Sequence, residues 1–497
     1  MDNSTTRKAS YVILISLGLA VVFNGLFFGK LVGISVLIFT GVLLGSVFLF
    51  GHYNQISLKK SWWVACLVVF FSLMVFVSAN EFLSFLNIVA TFGLLMLLAH
   101  QIAGTPVFLM KIRDYLTLAL LVPFRMLRKA LSTISFVSQV HSTVQHRDVW
   151  IRIFKGVVMA VPILVIFGAL FSQADLAFSQ FISSFVNITI SETEIQYLVL
   201  LAFAFVAGLS FLSYIFFPKE IETVVVPEQS TLEAVRVSKG IEVTVFLGLI
   251  STLFLVFIVF QITYLFGGET NIVNAGFTYA EYARRGFWEL LAVAMLSLVV
   301  LVASEKYAGV EASAKRNLQF LVPALVLIGE VVIVIVSAFK RLSLYIDTYG
   351  MTILRFYVGV FIILLLVLFV ILAIKFIQTK REQFFVFGTL LSVLTFLAVI
   401  NIVNPDVLII KANIQQYQET GKIDVYYVSD LSADAVAGKI DLYNKLAGED
   451  KEILKGSLLV QKTNLENWKG DWQSANLSRS KALTLLKASS IEAEEVK

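Results

Sequence analysis

Apolar runs of about twenty residues recur from Tyr11 to Val403, and no other feature of the sequence restricts the fold as strongly. A hydrocarbon core of about 30 Å is crossed by roughly 20 residues at a helical rise of 1.5 Å each. Lipid offers no partner for backbone N–H and C=O groups, so such runs must close their hydrogen bonds internally as helices. The composition agrees, with 58% hydrophobic and 15% charged residues, whereas soluble domains carry roughly 25% charged residues. The expected fold class is therefore all-α, a polytopic transmembrane helical bundle.

Eleven spans are expected, at 11–28, 31–50, 62–79, 82–103, 153–172, 194–217, 241–266, 286–304, 318–339, 353–374 and 384–403. Only Gly29 and Lys30 part the first two, so their turn must be tight. Arg7 and Lys8 precede the first run in the manner of a signal peptide, but no small-residue cleavage site follows, and the run is expected to stay as a span. Lys and Arg crowd the segments before the odd-numbered spans and thin out in the others, which places the N-terminus in the cytoplasm and the C-terminus outside. The net charge of +5 is thus a topology signal in short loops, and no nucleic-acid partner is expected. A single cysteine, Cys66, excludes an intrachain disulfide, and four scattered histidines suggest no metal site. No phosphate-binding glycine loop or nucleophile elbow is present, so no cofactor is expected.

The chain divides into a four-span region (1–103), a cytoplasmic interfacial region (104–152), a seven-span core (153–403) and an extracytoplasmic helical tail (404–497), where composition turns polar after Asn404 and Pro405. Within the second region Phe124, Leu127, Leu131, Ile134, Val137, Val140 and Val144 recur at helical spacing among Arg125, Arg128 and Lys129. That stripe serves equally to lie on the inner membrane surface or to pack under the bundle. The preceding stretch, 107–124, is apolar enough to span, but Lys111, Arg113 and Asp114 favour an interfacial position.

Function must come from polar groups within the bundle. Glu330 is foremost, because an acidic side chain near the middle of a span costs about 3 kcal/mol and is functional by default, the alternative being a neutral, hydrogen-bonded carboxyl that locks two helices together. Gln261, Asn87, Asn401, Glu289, Asn24 and Arg355 fall in the outer halves of their spans, which suggests an outward-facing cavity with Glu330 at its floor. Nine residues would separate Glu330 from the outer end of its helix, or about 13 Å. Arg284, Arg285 and Arg341 break the charge bias outside, and their guanidinium forks match an anionic headgroup or a carboxylate. The same arginines can instead snorkel or pair with Glu281, Glu289 and Asp347.

His146 to Trp150 (HRDVW), Tyr279 to Phe287 (YAEYARRGF), Lys340 to Arg355 (KRLSLYIDTYGMTILR), Asp424 to Ala435 (DVYYVSDLSADA) and Trp472 to Ala482 (WQSANLSRSKA) together resemble the bacterial membrane proteins grouped as DUF4173, related to DUF4153. The resemblance runs from the fifth span to the end, the first four spans matching as generic apolar helices, and implies architecture without an activity. Three readings follow. The leading one is a transporter or ligand-binding protein of the cell membrane using the outer cavity, with the bilayer and an anionic lipid or small molecule as partners. The others are an enzyme on a lipid or lipid-linked substrate and a scaffold or sensor. Clustered carboxylates at the interface would favour the enzyme, a continuous polar path transport, and a dry bundle the scaffold.

Overall fold

The computed structural model describes residues 3–56, 58–104, 106–138, 192–217, 239–265, 287–308, 318–378, 381–467, 471–489 and 491. Among them ten helices are long and apolar enough to cross a membrane. They are α1 (Asn3–Phe27), α2 (Ile34–Tyr53), α3 (Trp62–Val77), α4 (Glu81–Ile102), α7 (Glu192–Phe216), α8 (Lys239–Leu265), α9 (Phe287–Ala308), α10 (Leu318–Tyr349), α11 (Ile353–Ile377) and α12 (Glu382–Val403), with α5 (Ile112–Leu120) and α6 (Val122–Ser138) between α4 and α7. The expected span 153–172 lies outside the described residues. The first two runs are separate helices, parted at Gly29 with φ +66°.

Two apolar cores organise the bundle. In the first, α1, α2, α3, α4, α6 and α7 interlock around Val47, Phe71, Leu98 and Leu212. In the second, α8, α9 and α11 surround α10 around Leu247, Leu301, Leu327, Val331 and Phe369. Helix α12 contributes Leu394 to the first core and Phe385 to the second, and so joins them.

The stretch 107–124 is not a span. It breaks into a short turn, Val107–Leu109, and the nine-residue α5, about 14 Å long. Helix α6 separates the two uses expected of a single stripe: Met126, Ala130 and Thr133 are buried as it packs on α1 and α7, while Phe124 and Leu127 stay exposed beside Arg125 and Arg128.

The largest departure from expectation is α10, whose 32 residues continue through Lys340, Arg341 and Asp347 where a loop was expected. Glu330 consequently lies nineteen residues, about 28 Å, below the end of its helix rather than 13 Å. Arg355 caps that end: Nη1 donates to Tyr349 O at 3.0 Å and to Gly350 O, and the guanidinium stacks 4.1 Å from the Tyr345 ring centroid. A cation at a helix C-terminus meets its exposed carbonyls and the negative end of its dipole.

Residues 405–491 form a small helical unit of α13 (Pro405–Thr420), α14 (Val425–Ser429), α15 (Val436–Lys445), α16 (Gly448–Asn467) and α17 (Leu477–Ala488), around Ile409, Val436, Leu442, Leu454 and Leu486. It sits on the end of the bundle that holds the α1–α2, α3–α4 and α10–α11 turns. Helix α13 grips the last of these, with Asn413 Nδ2 donating to Met351 O at 2.8 Å and Gln416 Nε2 to Asp347 O at 3.0 Å.

Gly350 has φ +81°, and a Cβ there would stand 2.5 Å from Asn413 Oδ1 and 2.9 Å from Gln416 Oε1. Gly350→Ala is expected to destabilise the protein by about 1–3 kcal/mol, seen as a lower melting temperature in detergent. Unchanged melting would contradict this seating of α13.

Candidate functional site

The α3–α4 turn presents the free carbonyls of one helix and the free N–H groups of the next, and the C-terminal unit supplies partners for both. Asp434 Oδ2 accepts from Ser78 Oγ at 2.7 Å, Ala79 N at 3.0 Å and Asn80 N at 3.1 Å. Asn476 Nδ2 donates to Ser78 O at 2.8 Å and Val75 O at 3.2 Å. Asn80 caps α4, its Oδ1 accepting from Leu83 N at 2.8 Å, and its Nδ2 donates to Asp406 Oδ1 at 2.9 Å. The second Asp406 oxygen accepts from Ser432 N at 3.2 Å.

Against this clamp lies a cavity of about 820 Å³ between the C-terminal unit and the membrane helices. Glu81, Asp406 and Asp430 line it with one guanidinium, Arg479, and the amides of Gln461 and Asn464. Leu31, Phe82 and Val460 give it an apolar rim. The volume suits a small organic molecule. Its charge is balanced toward acid, with acceptors for a basic group, and its one guanidinium, Arg479, stands near the carboxylates of Glu81 and Asp434.

Lys439, fully buried, braces the wall: Nζ donates to Ser429 O at 2.7 Å, Leu431 O at 2.6 Å and Gln461 Oε1 at 3.3 Å. Burial pushes this ammonium down to about 8. Burial also lowers Arg479, with the carboxylates of Glu81 and Asp434 opposing it. Asp406 is raised above the ordinary carboxylate range, chiefly by burial and further by Asp434, while the hydrogen bonds from Ser432 and Asn80 pull it back. Among the described residues no group of three or more His, Cys, Asp or Glu is placed to hold a metal ion.

The residues singled out in the sequence do not gather here. Asn87 and Asn401 do meet each other, in reciprocal amide bonds of 2.7 and 2.8 Å between α4 and α12. Glu330 is buried between α10 and α8, where Ser251 Oγ donates to Oε1 at 2.7 Å. Arg355 caps α10, Arg341 is buried on the same helix and Glu289 is exposed in the first turn of α9. Asn24 is buried and donates to Tyr197 O at 3.1 Å. Gln261 lies near the end of α8, its side chain outside the described residues, as are Arg284, Arg285 and Glu281 entirely.

Sequence reasoning missed Asn80, Asp406, Asp430, Lys439 and Arg479. The signal was present, since Asp430, Ser432 and Asp434 stand in DVYYVSDLSADA and Asn476 and Arg479 in WQSANLSRSKA. Those motifs were read for resemblance alone, without asking which carboxylate faced a helix end.

A carboxyl raised on folding favours its neutral form in the folded state, so its stabilising effect is full below the ordinary aspartate value near 4 and is lost as pH rises through its own higher value. The melting temperature of the protein should therefore fall as pH rises from acid toward neutral, and Asp406→Asn should flatten that slope. An unchanged slope in the variant would assign it to another group.

The family model described as Domain of unknown function (DUF4153) matches residues 65–442, about three quarters of the chain. The match differs from the expected extent at both ends: it takes in α3 and α4 and stops at Leu442, before Trp472 to Ala482. No curated protein and no solved structure matches the chain. Its match from within α3 into α15, taking in the second apolar core, the part of the first that lies beyond α2 and the clamped α3–α4 turn, places this multi-pass helical membrane protein in the DUF4153 family.

Proposed function

We propose that this chain is a ligand-binding membrane protein whose site is the cavity between its C-terminal unit and the ends of the membrane helices. The 820 Å³ space with its mixed charges carries the reading. The ligand best matched to Glu81, Asp430 and Arg479 bears an ammonium and an anionic group, and the rim of Leu31 and Phe82 accommodates an apolar tail. A zwitterionic amphiphile, such as an aminophospholipid headgroup with its chains in the bilayer, fits both. The enzyme reading draws support from the same carboxylates at the interface, because Glu81 and Asp430 could serve as acid or base beside a guanidinium.

The cavity faces the extracytoplasmic side in this proposal. Lys59, Lys60, Lys111, Arg113, Arg125 and Arg128 all lie toward the opposite end from the C-terminal unit, as the inner-side bias of basic residues requires.

Two measurements test the proposal. A reporter fused after Lys497 should be active outside the cytoplasm, and activity confined to the cytoplasm would reverse the orientation. Native mass spectrometry of the protein from nanodiscs should show phosphatidylethanolamine retained over phosphatidylglycerol, with about tenfold weaker retention in Arg479→Gln and in Glu81→Gln, the equivalent of about 1.4 kcal/mol. Equal retention of both lipids in all three proteins would overturn the site, and a retained lipid converted to a new mass would establish the enzyme reading.

A further inference from the structure

Glu330 and every residue lining the interfacial cavity stand on different elements, since neither α8 nor α10 contributes to that cavity. We infer that Glu330, with Ser251 as its hydroxyl partner, is a proton-binding site within the bilayer, loading and releasing a proton at its open carboxyl oxygen.

The two positions lie at one depth. Ser251 follows the start of α8 by twelve residues and Glu330 follows the start of α10 by twelve, about 18 Å in each case. Ser251 Oγ donates to Oε1 at 2.7 Å, whereas Oε2 is buried without a hydrogen-bond partner among the described residues. Two other embedded pairs differ, although Asn24, which donates to Tyr197 O, also keeps a buried Oδ1 open among the described residues. Asn87 and Asn401 complete a closed amide pair, and Glu305 meets Lys375 in a buried ion pair. A group that joins helices in hydrocarbon is stabilised by closing its hydrogen bonds, because an open one costs about 1–3 kcal/mol, and the cost is greatest where the open atom can carry charge. Glu330 closes half of its own. Among the described residues it has no cation as an anion and its O–H has no acceptor as an acid, so neither protonation state is locked in place by them.

Charged side chains on all packed elements are distant along their axes. On α8 Glu242 is nine residues from Ser251, about 13 Å, and on α10 Lys340 and Arg341 are ten and eleven residues from Glu330, about 15 Å or more. On α9, Glu289 stands at one end and Glu305, Lys306 and Tyr307 at the other. On α11, Arg355 and Tyr357 lie at the first turns and Lys375 at the last, paired with Glu305. With no described cation nearby, a proton is the charge we assign to neutralise Glu330 where it sits. At Gly329, and at Gly248 one turn before Ser251, an added Cβ would meet no side chain of a packed helix within 4 Å among the described residues.

The test is labelling of the full-length protein in proteoliposomes with N,N′-dicyclohexylcarbodiimide, a lipid-soluble reagent that adds across the O–H of a protonated carboxyl, followed by peptide mass spectrometry. An adduct on Glu330 is expected in mildly acidic buffer, its yield falling about tenfold per pH unit above the midpoint. No adduct on Glu330 at any pH, or a yield that does not change from acidic to alkaline buffer, would show a carboxyl fixed as structural glue and overturn the proposal. Neither outcome depends on ligand binding at the interfacial cavity. Glu330→Gln, which keeps the shape and the Ser251 hydrogen bond, should melt within a few degrees of the parent and lose the adduct, and loss of folding in that variant would also assign Glu330 to glue.

Discussion

One carboxylate oxygen of Asp434 accepts three hydrogen bonds from the α3–α4 turn, and the placement of the C-terminal unit depends on that contact. A turn between two spanning helices emerges where water competes for its polar groups, with N–H groups exposed on one side and carbonyls on the other. Asp434 takes the donors and Asn476 the carbonyls, so the turn is held from both directions. The positive end of α4's dipole adds to the attraction for Asp434. Asn80 then links the turn to Asp406 at the root of α13, which makes the clamp continuous with the chain leaving α12. The cavity exists because the clamp holds its two walls apart at a fixed spacing.

Inside the bilayer the rule is different, since a polar side chain there has only other protein groups to meet. Asn87 with Asn401, Glu305 with Lys375 and Ser251 with Glu330 each join two different helices. The sequence shows that such residues are embedded, and hydropathy shows roughly how deep. It does not show helix rotation, so clustering by depth suggested one shared cavity where the structure has separate pairs. That is why Asn87 and Asn401 were legible as interior polar residues and illegible as partners of one another.

Span positions were legible for a related reason. A twenty-residue apolar run has one viable conformation in lipid, and ten of the expected spans are helices, eight of them within four residues of their expected bounds at both ends. Where the method stops at polar residues it fails, as in α10. Lys340, Arg341 and Asp347 end the apolar run, but a helix ends where its backbone loses partners, and Gly350 at φ +81° with Arg355 on the last carbonyls sets that point. Nothing in a hydropathy profile separates a polar helical turn from a loop. The interfacial site was lost for a further reason, because Asp406, Asp430 and Arg479 are ordinary surface residues in composition and acquire meaning only when α13, α14 and α17 bring them to the membrane end.

The cavity walls come from elements far apart in sequence, Glu81 from the membrane bundle and Asp430 and Arg479 from the C-terminal unit. A ligand that contacts both walls adds its binding free energy to the docking of one on the other, because it binds the docked form and not the separated one. The buried groups behind the walls work the other way: Asp406 and Lys439 are each shifted toward their neutral forms by burial, so docking carries a standing electrostatic cost near neutral pH. Occupancy would therefore strengthen this contact, whereas ionisation of Asp406 weakens it and its protonation relieves that cost. Under the proposed ligand-binding function, the C-terminal unit would be held less firmly with the cavity empty than with it filled.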